Sequence, residues 1–558
     1  MTSWKGWLRL AGVSVLVTLA GCTQPVARTS RQQVVQSTAP ASEVTQPITA
    51  KDNPFPALQQ VPVAKTVYST DEIRQFVTAA RAAESIEDPL QRCLAYPDPP
   101  HSHWSHEAVV AYCRYRLRPM ISTAEINALI RSGQTAELDN RLAAALHAQL
   151  TQPEAQGLLD EIYLQDFRYD SAKERPLLDA WKRASPKSAF AYAASGYAYE
   201  EMAQDARGED YSENTAPAKL QSMSSLLALA EDDLQQALTL EPRLTPAYVA
   251  WIDGANIGRT RDFVENIGER ARAAAPADYA IYSDLMFARQ PMWGGSPQAM
   301  EQLASQAQAH AVKNPLLKLL LTEAPFYEVS DCHCDPRIQL ANYHEIFGQL
   351  PTTAIMWSAG DLASDNGHPE MVVVYLSETL RFLPYNPLAI RARANRSYSL
   401  TYLGYPQWAL AEADKVVAAD PQFDAGFRAR GLAYEALQDY PHAIEALRRA
   451  IALDPGSSWQ LIELGNLYGY KTREWDKAWE ISSQVTRKFP DEANGWVLRA
   501  MIQMDEPRAG LKDTYDQFNA RFGNDPNHQT ALSEMRESLK QQAGPGGLNS
   551  TKLNLRPH

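Results

Sequence analysis

The chain has 558 residues, 45% of them apolar and 21% charged, with a formal net charge of −13. This globular composition is too long for one small core and suits two or three domains or one extended solenoid. An acidic balance argues against a nucleic-acid partner, because it repels phosphate backbones, and no apolar run beyond residue 21 approaches the ~20 residues that cross a bilayer.

The first element is an export signal. Lys5 and Arg9 stand around the start of an apolar stretch that runs from Leu10 to Ala20, the charge-then-apolar order of a secretory leader. It ends Leu19-Ala20-Gly21-Cys22, which resembles the bacterial lipobox. That resemblance implies a signal peptide over 1–21 and an acylated Cys22. Thr23, in place of an aspartate after the cysteine, implies anchorage in the outer membrane with the chain facing the periplasm. Several acyl chains together hold a protein stably where one does not. Residues 22–66 are Thr, Gln, Ser, Pro and Val without helical period, and they predict a disordered tether. At ~5–6 Å × √n such a tether reaches roughly 35 Å.

Residues 67–157 predict an N-terminal helical region, with Thr70 and Ser122 as N-caps before Asp71-Glu72 and Glu125. Between them lie Cys93, a proline-rich turn, the histidines His101, His103 and His106, and then Cys113. In an exported chain Cys93 and Cys113 favour a disulfide over a redox pair. Its closure would contribute on the order of 3 kcal/mol. The three histidines lack a carboxylate or thiolate at ligand spacing, so a solvated loop is expected rather than a metal site.

Over 158–350 the apolar spacing is helical but irregular. Tyr192, Gly196 and Tyr199 suit one helix, and Ala230, Leu234 and Ala237 suit its partner before Pro242. The polar surplus between them, around 208–222, predicts a protruding loop. Gly294-Gly295 predicts a turn, with Ser296 capping the helix after it. Cys332-His333-Cys334 has the wrong spacing for haem attachment, and zinc would need further ligands such as His344. Apart from Cys22, the four cysteines Cys93, Cys113, Cys332 and Cys334 permit three pairings, among which the sequence does not choose.

From Pro351 to Pro526 one pattern repeats. Pro387, Pro421, Pro455 and Pro490 follow at intervals of 34, 34 and 35 residues. Between Pro421 and Pro455 stand Phe427, Gly431, Tyr434, Ala443, Leu447 and Ala450, and the next interval answers with Leu461, Leu464, Gly465, Tyr468, Ala478 and Val485. These are two short amphipathic helices per unit, with small residues where helix crosses helix and a proline after the second. The pattern resembles the tetratricopeptide repeat, from which the unit 424–457 departs only at Arg430. The resemblance implies an all-α fold, an α-solenoid whose stacked hairpins bury one another and present a concave side. The 351–526 array is followed by 527–558, read as a capping helix over 528–542 and a disordered tail. The region 158–350 resembles the same repeat in degenerate form, and its segment Met292-Trp293-Gly294-Gly295-Ser296 also resembles an uncharacterised bacterial domain family found beside such repeats, covering roughly 158–350.

No catalytic signature stands out. There is no Gly-Lys pair for a phosphate loop, no His-Glu-x-x-His helix and no Gly-x-Ser-x-Gly elbow. The expectation is a chain with no catalytic residues, cofactor, metal or small-molecule substrate. The repeat resemblance implies instead a groove lined by Arg391, Tyr398, Tyr402, Arg428, Trp459, Asn466, Tyr470 and Asn494. Arginine, asparagine and aromatics are what a peptide or protein site uses; the competing reading packs Trp459 and the tyrosines between repeats. The leading expectation is thus an envelope scaffold or assembly factor with a protein partner. An immunity lipoprotein that blocks a type VI-like effector and an envelope enzyme are the alternatives.

Overall fold

A computed structural model describes residues 67–167, 171–208, 214–384, 387–506 and 508–543. The expected signal peptide, Cys22, the tether over 22–66 and the tail after 543 lie outside them. The fold is an all-α solenoid of tetratricopeptide-type helical hairpins, with no β-strand among the described residues. Two compact units divide it. Among the described residues, one comprises those up to 366 together with 378–384, and the other 367–377 together with those from 387 on.

In the first unit, helix Thr70–Glu84 begins one residue earlier than Thr70 as cap would have it. Ser69 is the N-cap: its hydroxyl accepts from the Glu72 N–H at 3.3 Å, and the Ser69 N–H donates to the Glu72 carboxylate at 2.8 Å. This reciprocal box satisfies two backbone donors that a helix start leaves open. Ser122 caps Thr123–Arg131 as the sequence predicts. Cys93 and Cys113, both fully buried, are joined by a disulfide that ties Pro89–Ala95 to His106–Leu117. The same helices share their core with residues far along the chain. The Trp104 indole donates to the Phe347 carbonyl at 2.8 Å, the Thr353 N–H donates to the Tyr112 hydroxyl at 3.0 Å, and the Tyr112 and Phe382 rings lie 4.5 Å apart.

Of the surplus around 208–222, residues 209–213 lie outside the described residues, and 217–222 are helix rather than the loop that the repeat length predicts. Ala189–Arg207 and Pro217–Leu240 are extended helices of 19 and 24 residues, and the second already includes 217–222. Leu220, Met223, Leu226 and Leu227 supply the reason, for they pack against Ala203 and Ile257 and so make the extra turns amphipathic. Lower in this hairpin Gly196 holds the crossing: a Cβ there would lie 2.5 Å from the Leu234 side chain. At the Gly294-Gly295 turn, Gly294 has φ +80° and Ser296 accepts from the Ala299 N–H at 3.1 Å to start Pro297–Gln308.

The second unit holds the regular hairpins: Pro387–Tyr402 with Pro406–Ala419, Asp424–Ala436 with Tyr440–Leu453, Ser458–Asn466 with Trp475–Lys488, and Ala493–Asp505 with Leu511–Phe522. Leu447 meets Gly431, and Leu498 and Ile481 meet Gly465, so the small positions are where helices touch. Pro421, Pro455 and Pro490 each stand two residues past a second helix, at Ala419, Leu453 and Lys488. Pro387 and Pro526 instead open the elements that follow them. Gln529–Ala543 closes the unit, its Leu532 and Met535 packed with Trp496, Leu511 and Phe518.

Candidate functional site

The groove residues are distributed over the first helices of successive hairpins in the second unit. Pro387–Tyr402 carries Arg391, Tyr398 and Tyr402; Asp424–Ala436 carries Arg428; Ser458–Asn466 carries Trp459 and Asn466; the π-helical turn Leu467–Lys471 carries Tyr470; and Ala493–Asp505 carries Asn494. Side chains eleven positions apart or fewer on one helix share a face only at helical spacing, and Tyr398 and Tyr402 meet that condition. Their hydroxyls are 2.9 Å apart and their rings 4.8 Å apart. The Arg428 guanidinium lies over the Tyr398 ring at 5.0 Å. Tyr402 is 57% exposed and Trp459 36%, so both present apolar area to solvent.

One residue that the sequence reading omitted belongs to this cluster. Glu463, one helical turn after Trp459, is only 8% exposed, and neither carboxyl oxygen has a partner at ordinary hydrogen-bond geometry. Burial pushes its carboxyl up to about 8, with Glu435 adding to the rise; the Arg428 charge and the Trp459 indole offset part of it. The group is therefore neutral near pH 7 and able to donate a hydrogen bond. Glu435 itself faces Lys471, at 3.4 Å. The signal for Glu463 was available as a charged residue inside the apolar run Leu461-Ile462-Glu463-Leu464.

The helix Pro387–Tyr402 also contributes two arginines to a buried ion group. Glu412, fully buried, pairs with Arg396, with Arg393 at 2.7 Å and with Lys415 at 2.7 Å; Arg396 also donates to Ser377 at 3.1 Å. Burial by itself would raise the Glu412 carboxyl, but the Arg396, Arg393 and Lys415 charges outweigh it and hold the group below the usual carboxylate range.

Of the remaining groove candidates, Tyr470 and Asn494 have contacts elsewhere. Tyr470 sets its ring edge-on to Trp475 at 5.3 Å, and burial raises its phenol. The Asn494 backbone N–H donates to the Glu492 carboxylate at 3.1 Å, which makes it part of a helix start. Arg391 is exposed, and Asn466 is half-buried at its helix end.

The first unit contains polar clusters of another kind. Gln149 donates to Asp160 at 2.6 Å, to Thr245 at 2.8 Å and to Asp278 at 3.1 Å, and Thr245 donates to Asp160 at 2.6 Å. Burial raises both carboxyls, and the Asp278 charge adds to the rise at Asp160. All four side chains are buried, and they take up the N–H groups of Leu159 and Ile281. The cluster is a satisfied knot that ties helix starts together. His101, His103 and His106 are all exposed, and His101 meets Glu72 at 2.7 Å. Among the described residues no group of three or more His, Cys, Asp or Glu side chains is poised around a cation. Cys332 and Cys334 are joined to each other.

No protein-family model matches the chain, and no curated protein does. Solved structures do. A tetratricopeptide repeat protein from Parabacteroides merdae is 16% identical, over 43% of this chain and 93% of its own, with a TM-score of 0.33. The APC/C hetero-tetramer Cut9–Hcn1 is 12% identical over 83% of this chain and 87% of its own, with a TM-score of 0.32. MamA is 20% identical over 33% and 96%, with a TM-score of 0.23. The chain's own hairpins, with glycine against leucine and proline past the second helix, carry the fold.

Proposed function

We propose that the chain is a non-enzymatic scaffold or assembly factor that binds a protein or peptide along the face formed by Tyr398, Tyr402, Arg428 and Trp459. The observation behind this reading is the combination of two exposed aromatics with a half-buried arginine and a neutral buried carboxyl, all on the first helices of stacked hairpins. Aromatic rings supply apolar area to a partner at low entropic cost, and an arginine fork takes a carboxylate or a backbone carbonyl. A protonated Glu463 adds a donor that an ionised one would lack.

In this reading the lipobox at Cys22 anchors the protein in the outer membrane, and the tether over 22–66 presents the solenoid to periplasmic partners. Incorporation of an acyl-chain probe that is lost in Cys22→Ser tests the anchor. The binding role is tested by crosslinking and capture with the full chain, comparing wild type with the Arg428→Ala, Trp459→Ala double variant. Recovery of one resident envelope complex by the wild type alone supports the scaffold. One-to-one capture of a secreted toxin replaces it by the immunity reading, and equal capture by both proteins refutes the proposed face.

A further inference from the structure

The two disulfides of the first unit differ in kind. Cys93–Cys113 joins two helices across 20 residues and is fully buried. Cys332–Cys334 spans a single residue, in the connection between Glu323–Asp331 and Pro336–Ile346, and both cysteines are partly exposed. A loop this short restricts the unfolded chain little, so the bond does little for stability. It is also within reach of an incoming thiol, as a buried bond is not.

The surroundings give the two sulfurs unequal roles. Cys332 is the C-cap of Glu323–Asp331, and Cys334 directly precedes Asp335, the N-cap of the eleven-residue helix Pro336–Ile346. Helix dipoles favour negative charge at an N-terminus and oppose it at a C-terminus. Asp335 does not cancel that preference, because its carboxylate is held by Arg337 at 2.7 Å. His333, exposed between the cysteines at φ +47°, places Nδ1 2.7 Å from the Asp331 carbonyl. A carbonyl only accepts, so Nδ1 carries the proton in a neutral ring and Nε2 is left as the basic nitrogen.

We propose that Cys332–Cys334 is a reversible thiol–disulfide exchange site whose substrate is a protein or low-molecular-weight thiol. An incoming thiolate attacks the Cys332 sulfur. The Cys332–Cys334 bond breaks, its electron pair leaves on Cys334 as thiolate, and a mixed disulfide joins Cys332 to the substrate. A second substrate thiol attacks the mixed disulfide at the substrate sulfur and releases Cys332 as thiolate. Two substrate thiols are thus oxidised to a disulfide while the cysteine pair gains two electrons and two protons.

The test equilibrates the full chain with reduced and oxidised glutathione at a series of ratios, quenches by alkylation and reads each cysteine pair by mass spectrometry. The expected result is that Cys332–Cys334 opens and re-forms reversibly, at least about tenfold more readily than Cys93–Cys113, with helical circular dichroism unchanged. The Cys332→Ser, Cys334→Ser double variant is expected to melt within a few degrees of wild type. With oxidised glutathione, Cys334→Ser should collect a stable adduct on Cys332, and reduction of that adduct should return the free thiol. A Cys332–Cys334 bond that resists glutathione until the fold is lost, or whose reduction unfolds the first unit, overturns the proposal. Faster opening through attack on Cys334, seen as wild-type mixed disulfide on that sulfur, overturns the assignment of Cys332 as the attacked atom.

Discussion

The Arg428 guanidinium lies over the ring of Tyr398 at 5.0 Å, so a cation on one hairpin is held against an aromatic on the hairpin before it. Tyr402 and Trp459 beside the pair are exposed, and under the proposed function they are where a partner would bind. Replacing Arg428 and Trp459 together by alanine is expected to weaken partner binding by tenfold or more, about 1.4 kcal/mol. The melting temperature should move by no more than a few degrees. Calorimetric titration of the captured partner and a thermal melt check both halves. A variant that unfolds would show these side chains to be packing, and unchanged affinity would remove the face from the binding role.

Glu463 makes the same region pH-sensitive. Its carboxyl is raised to about 8 in the fold, from an ordinary 4.5. Between those values the unfolded chain releases a proton that the folded chain keeps, so this residue makes stability fall as pH rises from about 4.5 to 8 and adds no further change above that. Glu463→Gln should therefore match wild type near pH 4.5 and be more stable near pH 8.5, by on the order of a few kcal/mol. Denaturant titrations of both proteins at the two pH values decide it, and a difference that is constant with pH would refute the buried-acid account.

The ion group around Glu412 behaves in the opposite sense. Glu412 is held under the ordinary carboxylate range by Arg396, Arg393 and Lys415. Its contribution is present above pH 4.5 and fades as acid protonates the folded state. Glu412→Ala strands the fully buried Arg396 and should cost about 3–5 kcal/mol. Urea unfolding at neutral pH measures this loss. A cost within about 0.5 kcal/mol would place the pair with ordinary surface ion pairs.

The turn at Gly294-Gly295 offers a local test of backbone packing. A Cβ on Gly295 would stand 1.9 Å from the Arg289 carbonyl oxygen, whereas nothing lies within 4 Å of one on Gly294. Gly295→Ala must displace backbone and is expected to lower the melting temperature clearly more than Gly294→Ala, whose only penalty is its positive φ. Paired thermal melts of the two single variants check the order.

Much of the fold was legible because its determinants are local. The intervals from Pro387 to Pro490, Gly431 and Ala443 at a helix crossing, and Ser122 and Ser296 as caps each act within one turn or one hairpin. The misplaced cap at Thr70 is of the same local kind, since Ser69 and Glu72 complete the box that Thr70 does not. The extra turns of Pro217–Leu240 escaped the reading because the repeat length was imposed on a hairpin whose helices are longer, although Leu220, Met223 and Leu227 already carry a helical spacing. Within the site, the residue types at Tyr398, Tyr402, Arg428 and Trp459 were readable from repeat position. Glu463 was signalled only by its charge inside the apolar run Leu461–Leu464, and the contact of Tyr470 with Trp475 was not readable from repeat position.

The sequence by itself determined the all-α class and the hairpin period, because amphipathic spacing, small crossing residues and prolines specify helices and their immediate partners. Only the tertiary structure decided that Cys93 pairs with Cys113 and Cys332 with Cys334, that Trp104 and Tyr112 pack on Phe347, Thr353 and Phe382, and that Glu463 is buried beside Arg428. Those outcomes depend on which distant helix covers a given face. That choice sets burial, and burial is what converts a glutamate in an apolar run from a solvated charge into a neutral donor.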